Sequence, residues 1–222
     1  MCCNQDTLFM YVLPEALERY ISDHSSPESP ILADLNRDTQ ANVLLPRMLS
    51  GHTQGVVLQL LSSMIRPKRI LEIGTYTGYS AICLADGLAA DGELITIDRN
   101  DELEEKVRSY FQQAGLDNKI TYLLGDAREE IPKLTGPFDL IFIDADKKNY
   151  ALYYDLLIDK LEVGGYLLAD NVLWSGKVVD PTKNDTDTEA LRAFNRKLAQ
   201  DKRLLVTILS VRDGITLAKR IA

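Results

Sequence analysis

Asp144, Lys147, Asp170 and Asn171 carry the sharpest chemical signal in this 222-residue chain. They lie in two short stretches, FIDADKKNY (142–150) and LLADNVLWSG (167–176). Two carboxylates and an amide oxygen, with no His or Cys nearby, form a hard-oxygen donor set. Such a set suits magnesium, calcium or manganese better than zinc. Magnesium takes six ligands, so three positions would remain for water or substrate, and two oxygens on adjacent carbons, a catechol-like diol, would fit them. The competing reading is that these acids only start turns and hold no metal. Lys147 follows Asp144 by one helical turn, so the two can face one site. Nearby positive charge disfavours the protonated form of a lysine, which makes Lys147 a candidate general base. Asp146 reads as support for this pair, and Lys148 as a solvated or phosphate-facing neighbour.

Further upstream, EIGTYTGYS (72–80) places Gly74 and Gly78 where a backbone must turn tightly and approach a ligand. Tyr76 stands where the dinucleotide fingerprint G-x-G-x-x-G needs its second glycine, so a pyrophosphate cradle is disfavoured and a nucleoside with a cationic group facing Glu72 is the better fit. Asp98 ends the next apolar run and suits a ribose diol. Asp126, in GDA (125–127), is placed to meet a purine amino group.

These residues need a scaffold that brings distant segments to one edge. The runs RILEIG (69–74), ELITID (93–98), ITYLLGD (120–126), FDLIFID (138–144) and GYLLAD (165–170) are almost continuously apolar, as strands buried on both faces of a parallel sheet are. Helical segments are expected near 79–89, 102–114, 128–134 and 150–161, giving a doubly wound α/β sheet. Each strand then delivers a carboxylate to its carboxyl end, where ligands bind in such sheets. The rhythm breaks at LLVTILS (204–210) and GITLAKR (214–220), joined so tightly that an antiparallel hairpin is predicted. Residues 1–66 read as two or three helices interrupted at SSPESP (25–30), a cap on an α/β core of 67–222 within a single domain. Thr186 or Thr188 is expected to cap the helix that carries Leu191 to Leu198.

Bulk properties narrow the function classes. A net charge of −8 argues against tight nonspecific binding to nucleic acid or anionic membranes. No apolar run approaches a membrane span, and the N-terminal residues do not form a signal peptide. Cys2, Cys3 and Cys83 are an odd, poorly spaced set that reads as free thiols. The cytoplasm is the expected location.

LEIGTYTGYS, TIDRN, FIDADKKNY, LLADNVLWSG and the closing RDGITLAKR together resemble the cation-dependent O-methyltransferases of the caffeoyl-CoA and catechol type, over residues 40–222. That resemblance implies a class I methyltransferase fold: a Rossmann-like, seven-stranded, mostly parallel sheet with a C-terminal antiparallel hairpin and helices on both faces. It implies S-adenosylmethionine as methyl donor, a divalent cation (magnesium first, calcium or manganese as alternatives), a catechol-like or hydroxycinnamoyl-type phenolic acceptor, and a homodimer. Position by position, Glu72, Gly74 and Ser80 would serve the methionyl part of the donor, with Ser50 of MLSGHTQG at its methionine end. Asp98 would hold the ribose, and Asp126 with Ala127 the adenine edge. Asp144, Asp170 and Asn171 match the family's metal ligands, with Asp144 also on the donor side, and Lys147 matches its base. Met48 and Trp174 match positions flanking the acceptor, and Tyr150 is assigned to the same wall. Animal catechol enzymes of this type carry a His-Trp pair where this chain has Ala145 and Asp146, so the sequence leans to the plant and bacterial branch. The alternative function is methylation of a hydroxylated uridine in tRNA by the same chemistry.

Overall fold

The computed structural model describes residues 14–222; Cys2 and Cys3 lie outside the described residues. Seven strands form one sheet: β1 (Arg69–Ile73), β2 (Glu93–Asp98), β3 (Ile120–Leu124), β4 (Phe138–Ile143), β5 (Leu161–Ala169), β6 (Leu204–Leu209) and β7 (Ile215–Arg220), in the order β3-β2-β1-β4-β5-β7-β6. The β1 to β5 pairings are parallel, while β7 is antiparallel to both β5 and β6. This is the expected mostly parallel sheet with its closing hairpin. Among the described residues eight α-helices surround it: α1 (Glu15–Asp23), α2 (Pro30–Asn42), α3 (Gly51–Ile65), α4 (Tyr79–Ala85), α5 (Glu104–Gln113), α6 (Ala127–Glu130), α7 (Tyr150–Leu157) and α8 (Thr186–Gln200).

Strand side chains alternate between two apolar layers, as the period of two requires. Leu71, Ile73, Ile141, Ile143 and Leu167 pack with residues of α7 and α8, including Tyr154, Leu157 and Phe194. Ile70, Leu94, Leu140, Phe142 and Leu168 pack with residues of α2 to α5, including Leu35, Leu58, Leu84 and Phe111. Burial on both sides explains why these strands read as unbroken apolar runs.

Several boundaries differ from the sequence expectation for local reasons. Pro132 has no N–H to continue α6, which shortens to one turn and passes into a 3₁₀ turn at Ile131–Lys133. β5 begins at Leu161, before GYLLAD, and its pairing with β4 shifts register between Phe138 and Leu140, around the left-handed Gly164. The cap of α8 is Asp185, whose carboxylate accepts the Thr188 N–H at 3.1 Å while the Thr188 hydroxyl donates to it at 2.8 Å, so neither Thr186 nor Thr188 is the N-cap. Ser29 caps α2, with Pro30 in its first turn, so the SSPESP stretch ends in a helix start.

The feature that matters for function is the register at the carboxyl edge. The ladder continues one residue beyond β1, β4 and β5. Gly74 N–H donates to Ile97 O at 2.9 Å, Asp144 N–H to Ile73 O at 2.8 Å and Asp170 N–H to Ile143 O at 2.9 Å. Three chemically marked residues are therefore held by sheet hydrogen bonds although they lie outside the strands. The strand order reverses between β1 and β4, which is where ligands enter open α/β sheets.

Candidate active site

A groove of about 2840 Å³ runs along this edge. Met48, Ser50, Gly74, Asp98, Asp126, Ala127, Asp144, Lys147, Asp170, Asn171 and Trp174 all line it. Its volume exceeds the roughly 300–1,000 Å³ of a single small-ligand pocket, leaving room for two ligands side by side.

At the β1 end, Gly74 has φ +99°, and an added Cβ would lie 1.9 Å from Asp144 O. Only glycine lets the two strand ends approach this closely. Asp98 accepts the N–H groups of Thr75 at 3.0 Å, Tyr76 at 2.8 Å and Asn100 at 2.9 Å, so its carboxylate shapes the glycine loop as well as facing the groove. Asp126 caps α6 and is paired with Arg128, whose side-chain hydrogen bonds hold the carboxyl down at about 2.

Glu72 and Ser80 lie one layer below the groove lining. Glu72 is fully buried; Ser80 donates to one carboxylate oxygen at 2.6 Å and Thr96 to the other at 2.5 Å. Burial pushes the Glu72 carboxyl up to about 8, with Asp144 and Asp98 adding to the effect and the two hydroxyls opposing it. A carboxyl raised in the folded state binds its proton more tightly there than in the unfolded chain. Its stabilising contribution is therefore complete below the ordinary carboxylate range and is lost as pH rises through about 8. We expect the melting temperature of the ligand-free protein to fall between pH 7 and 9, and Glu72→Gln to flatten that slope. Identical slopes for the two proteins would refute the assignment.

The β4 and β5 ends hold the densest charge. Lys147 is almost fully buried, and its Nζ donates to Asp144 Oδ1 at 3.0 Å and to the Tyr150 hydroxyl at 2.5 Å. Asp170, exposed by only 2%, accepts the Gln54 side-chain amide on Oδ2 at 2.6 Å and the Asn171 N–H on Oδ1 at 2.7 Å. Burial first, then the Asp144 charge, pushes its carboxyl up to about 7, against the pull of Gln54, Lys147 and the Asn171 amide. Asn171 adopts φ +57°, and Trp174 and Ser175 follow with φ of +50° and +52°. This left-handed succession folds the loop after β5 back over the groove.

Tyr150 does not stand in the acceptor wall. Its ring is fully buried behind the groove, its hydroxyl lies 3.0 Å from Asp170 O, and burial keeps the phenol well above its ordinary value. Met48, by contrast, is 53% exposed, and Trp174 also lines the groove, with Lys177 5.5 Å from its ring centroid.

Sequence reasoning missed the residues that brace this edge. Gln54 is fully buried in α3 and reaches Asp170 across the fold. Arg212, in the hairpin turn, donates to Leu49 O at 3.0 Å, to Ser50 O and to Gln54 Oε1 at 3.3 Å. Asp213 accepts the Ser175 N–H at 2.5 Å. From α8, Arg192 donates to Lys177 O and Val178 O at 2.9 Å, and to Asp180 O, which fixes the loop after Trp174. Gln54 stands inside the MLSGHTQG stretch and Arg212 inside RDGITLAKR, but nothing in the spacing links them to Asp170.

The donor set tests well for a divalent cation. Among the described residues no cluster of three or more His, Cys, Asp or Glu forms. Asp144, Asp170 and Asn171 line the same groove, and Asp144 pairs with Lys147 at 3.0 Å. The Asp144 charge beside the buried Asp170 carboxyl is the kind of crowding that a hard divalent ion would relieve.

A groove at the switch point of this sheet, with its carboxylates in register and a closing antiparallel hairpin, defines a class I methyltransferase. The chain matches the O-methyltransferase family over residues 22–221, and it belongs to that family. It is similar to the caffeoyl-CoA O-methyltransferase of Petroselinum crispum, 34% identical with 94% of this chain and 92% of the relative covered. A probable caffeoyl-CoA O-methyltransferase of Dictyostelium discoideum is 32% identical, with 91% and 90% covered. Among solved structures, the O-methyltransferase from Bacillus cereus in complex with SAH superposes with a TM-score of 0.85 at 32% identity, covering 92% of this chain and 97% of that one. TomG from Streptomyces achromogenes, in complex with SAM, gives 0.86 at 30% identity, with 93% and 96% covered. The protein is thus a methyltransferase enzyme of the caffeoyl-CoA O-methyltransferase type.

Proposed function

We propose that this enzyme transfers the methyl group of S-adenosylmethionine to one hydroxyl of a catechol-like or hydroxycinnamoyl-type phenol, with a divalent cation, magnesium first, at the acceptor. The observation that carries the reading is the meeting of Asp144, Asp170, Asn171 and Lys147 on one stretch of the groove. The methyl donor supplies an electrophilic methyl on a sulfonium. A cation held by Asp144, Asp170 and Asn171 would acidify the acceptor hydroxyl and orient both of its oxygens. Lys147, whose Nζ pairs with Asp144 Oδ1 at 3.0 Å in this structure, would take the acceptor proton at Nζ in its neutral form once a cation claims that carboxylate. Gly74, with Ser50 and Asp98, provides the donor side of the groove. Asp126 and Ala127 would take the adenine edge, with Glu72 and Ser80 serving the methionyl part from beneath the groove. Met48 and Trp174 flank the acceptor and exclude water from the reacting oxygen.

No observation supports the tRNA alternative, and the net charge of −8 opposes it. The same reading carries a homodimer, which light scattering tests directly, and a cytoplasmic location. Among the described residues no helix is long and apolar enough to cross a membrane. Methyl transfer from labelled donor, with magnesium, to catechols, hydroxycinnamoyl thioesters and tRNA tests the acceptor class. Transfer to vicinal dihydroxy phenols and not to their mono-hydroxy analogues is expected. Equal rates on both, or transfer to tRNA alone, would overturn the proposal.

A further inference from the structure

We propose that Tyr150 is a positioning residue for methyl transfer: its hydroxyl fixes Lys147 Nζ and ties it to the ends of β4 and β5. The inference rests on Lys147 being the base. A free lysine side chain has four flexible torsions, and an unpinned Nζ would sample many positions. Here two contacts pin it, Asp144 Oδ1 at 3.0 Å and the Tyr150 hydroxyl at 2.5 Å. If Asp144 serves a cation, the phenol is the partner that remains.

A phenolic oxygen accepts and also donates a single hydrogen. With Lys147 donating to it, its own hydrogen points to Asp170 O at 3.0 Å, and Ile143 O lies at 3.3 Å. Ile143 is the last residue of β4, and Asp170 directly follows β5. One hydroxyl thereby joins the base, the strand end before Asp144 and the backbone of Asp170. The ring cannot touch an acceptor, because it is fully buried, and Phe194 of α8 packs edge-on against it at 5.3 Å and 75°. Lys147 Nζ also lies 4.7 Å from the centroid of the Tyr150 ring, a contact that phenylalanine would keep. Tyr150→Phe therefore isolates the hydroxyl.

The test compares Tyr150→Phe with Phe194→Leu, which loosens the same packing but leaves the hydroxyl in place, and with Lys147→Met alone and combined with Tyr150→Phe. Tyr150→Phe is expected to lower kcat by about 10- to 100-fold, the usual effect of losing a group that orients an active-site residue. The acceptor KM and the Kd for S-adenosylmethionine should stay within about twofold of the parent protein. Phe194→Leu should lower the melting temperature and leave kcat within about twofold. In the Lys147→Met background, Tyr150→Phe should cost nothing further, because the group it positions is gone. Unchanged kcat in Tyr150→Phe, a kcat that merely follows melting temperature in both packing variants, or a full additional loss in the double variant would each overturn the proposal. If Lys147→Met kept full activity, the base assignment itself would fall. An inactive Lys147→Met beside a fully active Tyr150→Phe would remove the Tyr150 inference alone.

Discussion

Asp170→Ala is expected to reduce methyl transfer by roughly a thousandfold or more, the rate equivalent of about 4 kcal/mol, while binding of S-adenosylmethionine stays measurable. Asp170 is proposed as a cation ligand, and it lies on the β5 side of the groove, away from Asp98 and Asp126. Excess chelator should reproduce the loss in the parent protein, and added magnesium should reverse it. Asp170→Ala should show no such recovery at the same magnesium concentration. Removing the acid also takes away a partner of Gln54, so a measurement of folding must accompany the assay. The decisive observation is calorimetric: cation binding should disappear in Asp170→Ala, and donor binding should remain. Full activity in excess chelator would sink the cation assignment whatever the variant does.

Lys147→Met carries the second large effect. Losing a positioned general base typically costs about 10²- to 10⁴-fold in rate. Methionine keeps much of the length and the apolar stem, so packing above Tyr150 should survive. The change removes the counter-charge from a pair in which Lys147 is 8% and Asp144 19% exposed, and leaving Asp144 alone disfavours the ligand-free fold. Magnesium should restore part of that stability without restoring turnover. A variant that kept its kcat would show that the acceptor loses its proton elsewhere. One that regained its rate steadily toward high pH would be the expected sign of a missing base.

Much of the scaffold was legible because burial on both faces leaves little freedom in residue choice. RILEI, ELITID and FDLIFI could hardly be anything but central strands, and the acids that close the second and third of them, Asp98 and Asp144, could face only the carboxyl edge, whereas Glu72 lies within the first and is buried. The same argument brought Asp144 and Asp170 together from distant positions, since adjacent parallel strands place their ends side by side. The bracing was not legible. Gln54 meets Asp170, and Arg212 meets Ser50, by tertiary packing that leaves no periodic or local trace. Tyr150 illustrates the limit most sharply. An aromatic residue one turn after the base reads equally well as acceptor wall or as core, and only the direction in which α7 leaves the sheet decides for the core. The loop after β5 was also out of reach, because left-handed backbone at Trp174 and Ser175 runs against the preference of those side chains, although Asn171 tolerates it.

The ladder bonds that run one residue past β1, β4 and β5 divide this enzyme into a fixed part and a replaceable part. Gly74, Asp144 and Asp170 inherit the stiffness of the sheet, so the reacting geometry is set before any ligand arrives. Met48 and Trp174 belong instead to connecting segments, 44–50 and 174–180, which no strand constrains. Exchange of those segments between relatives would therefore change which acceptor is methylated and leave the chemistry of methylation where it is.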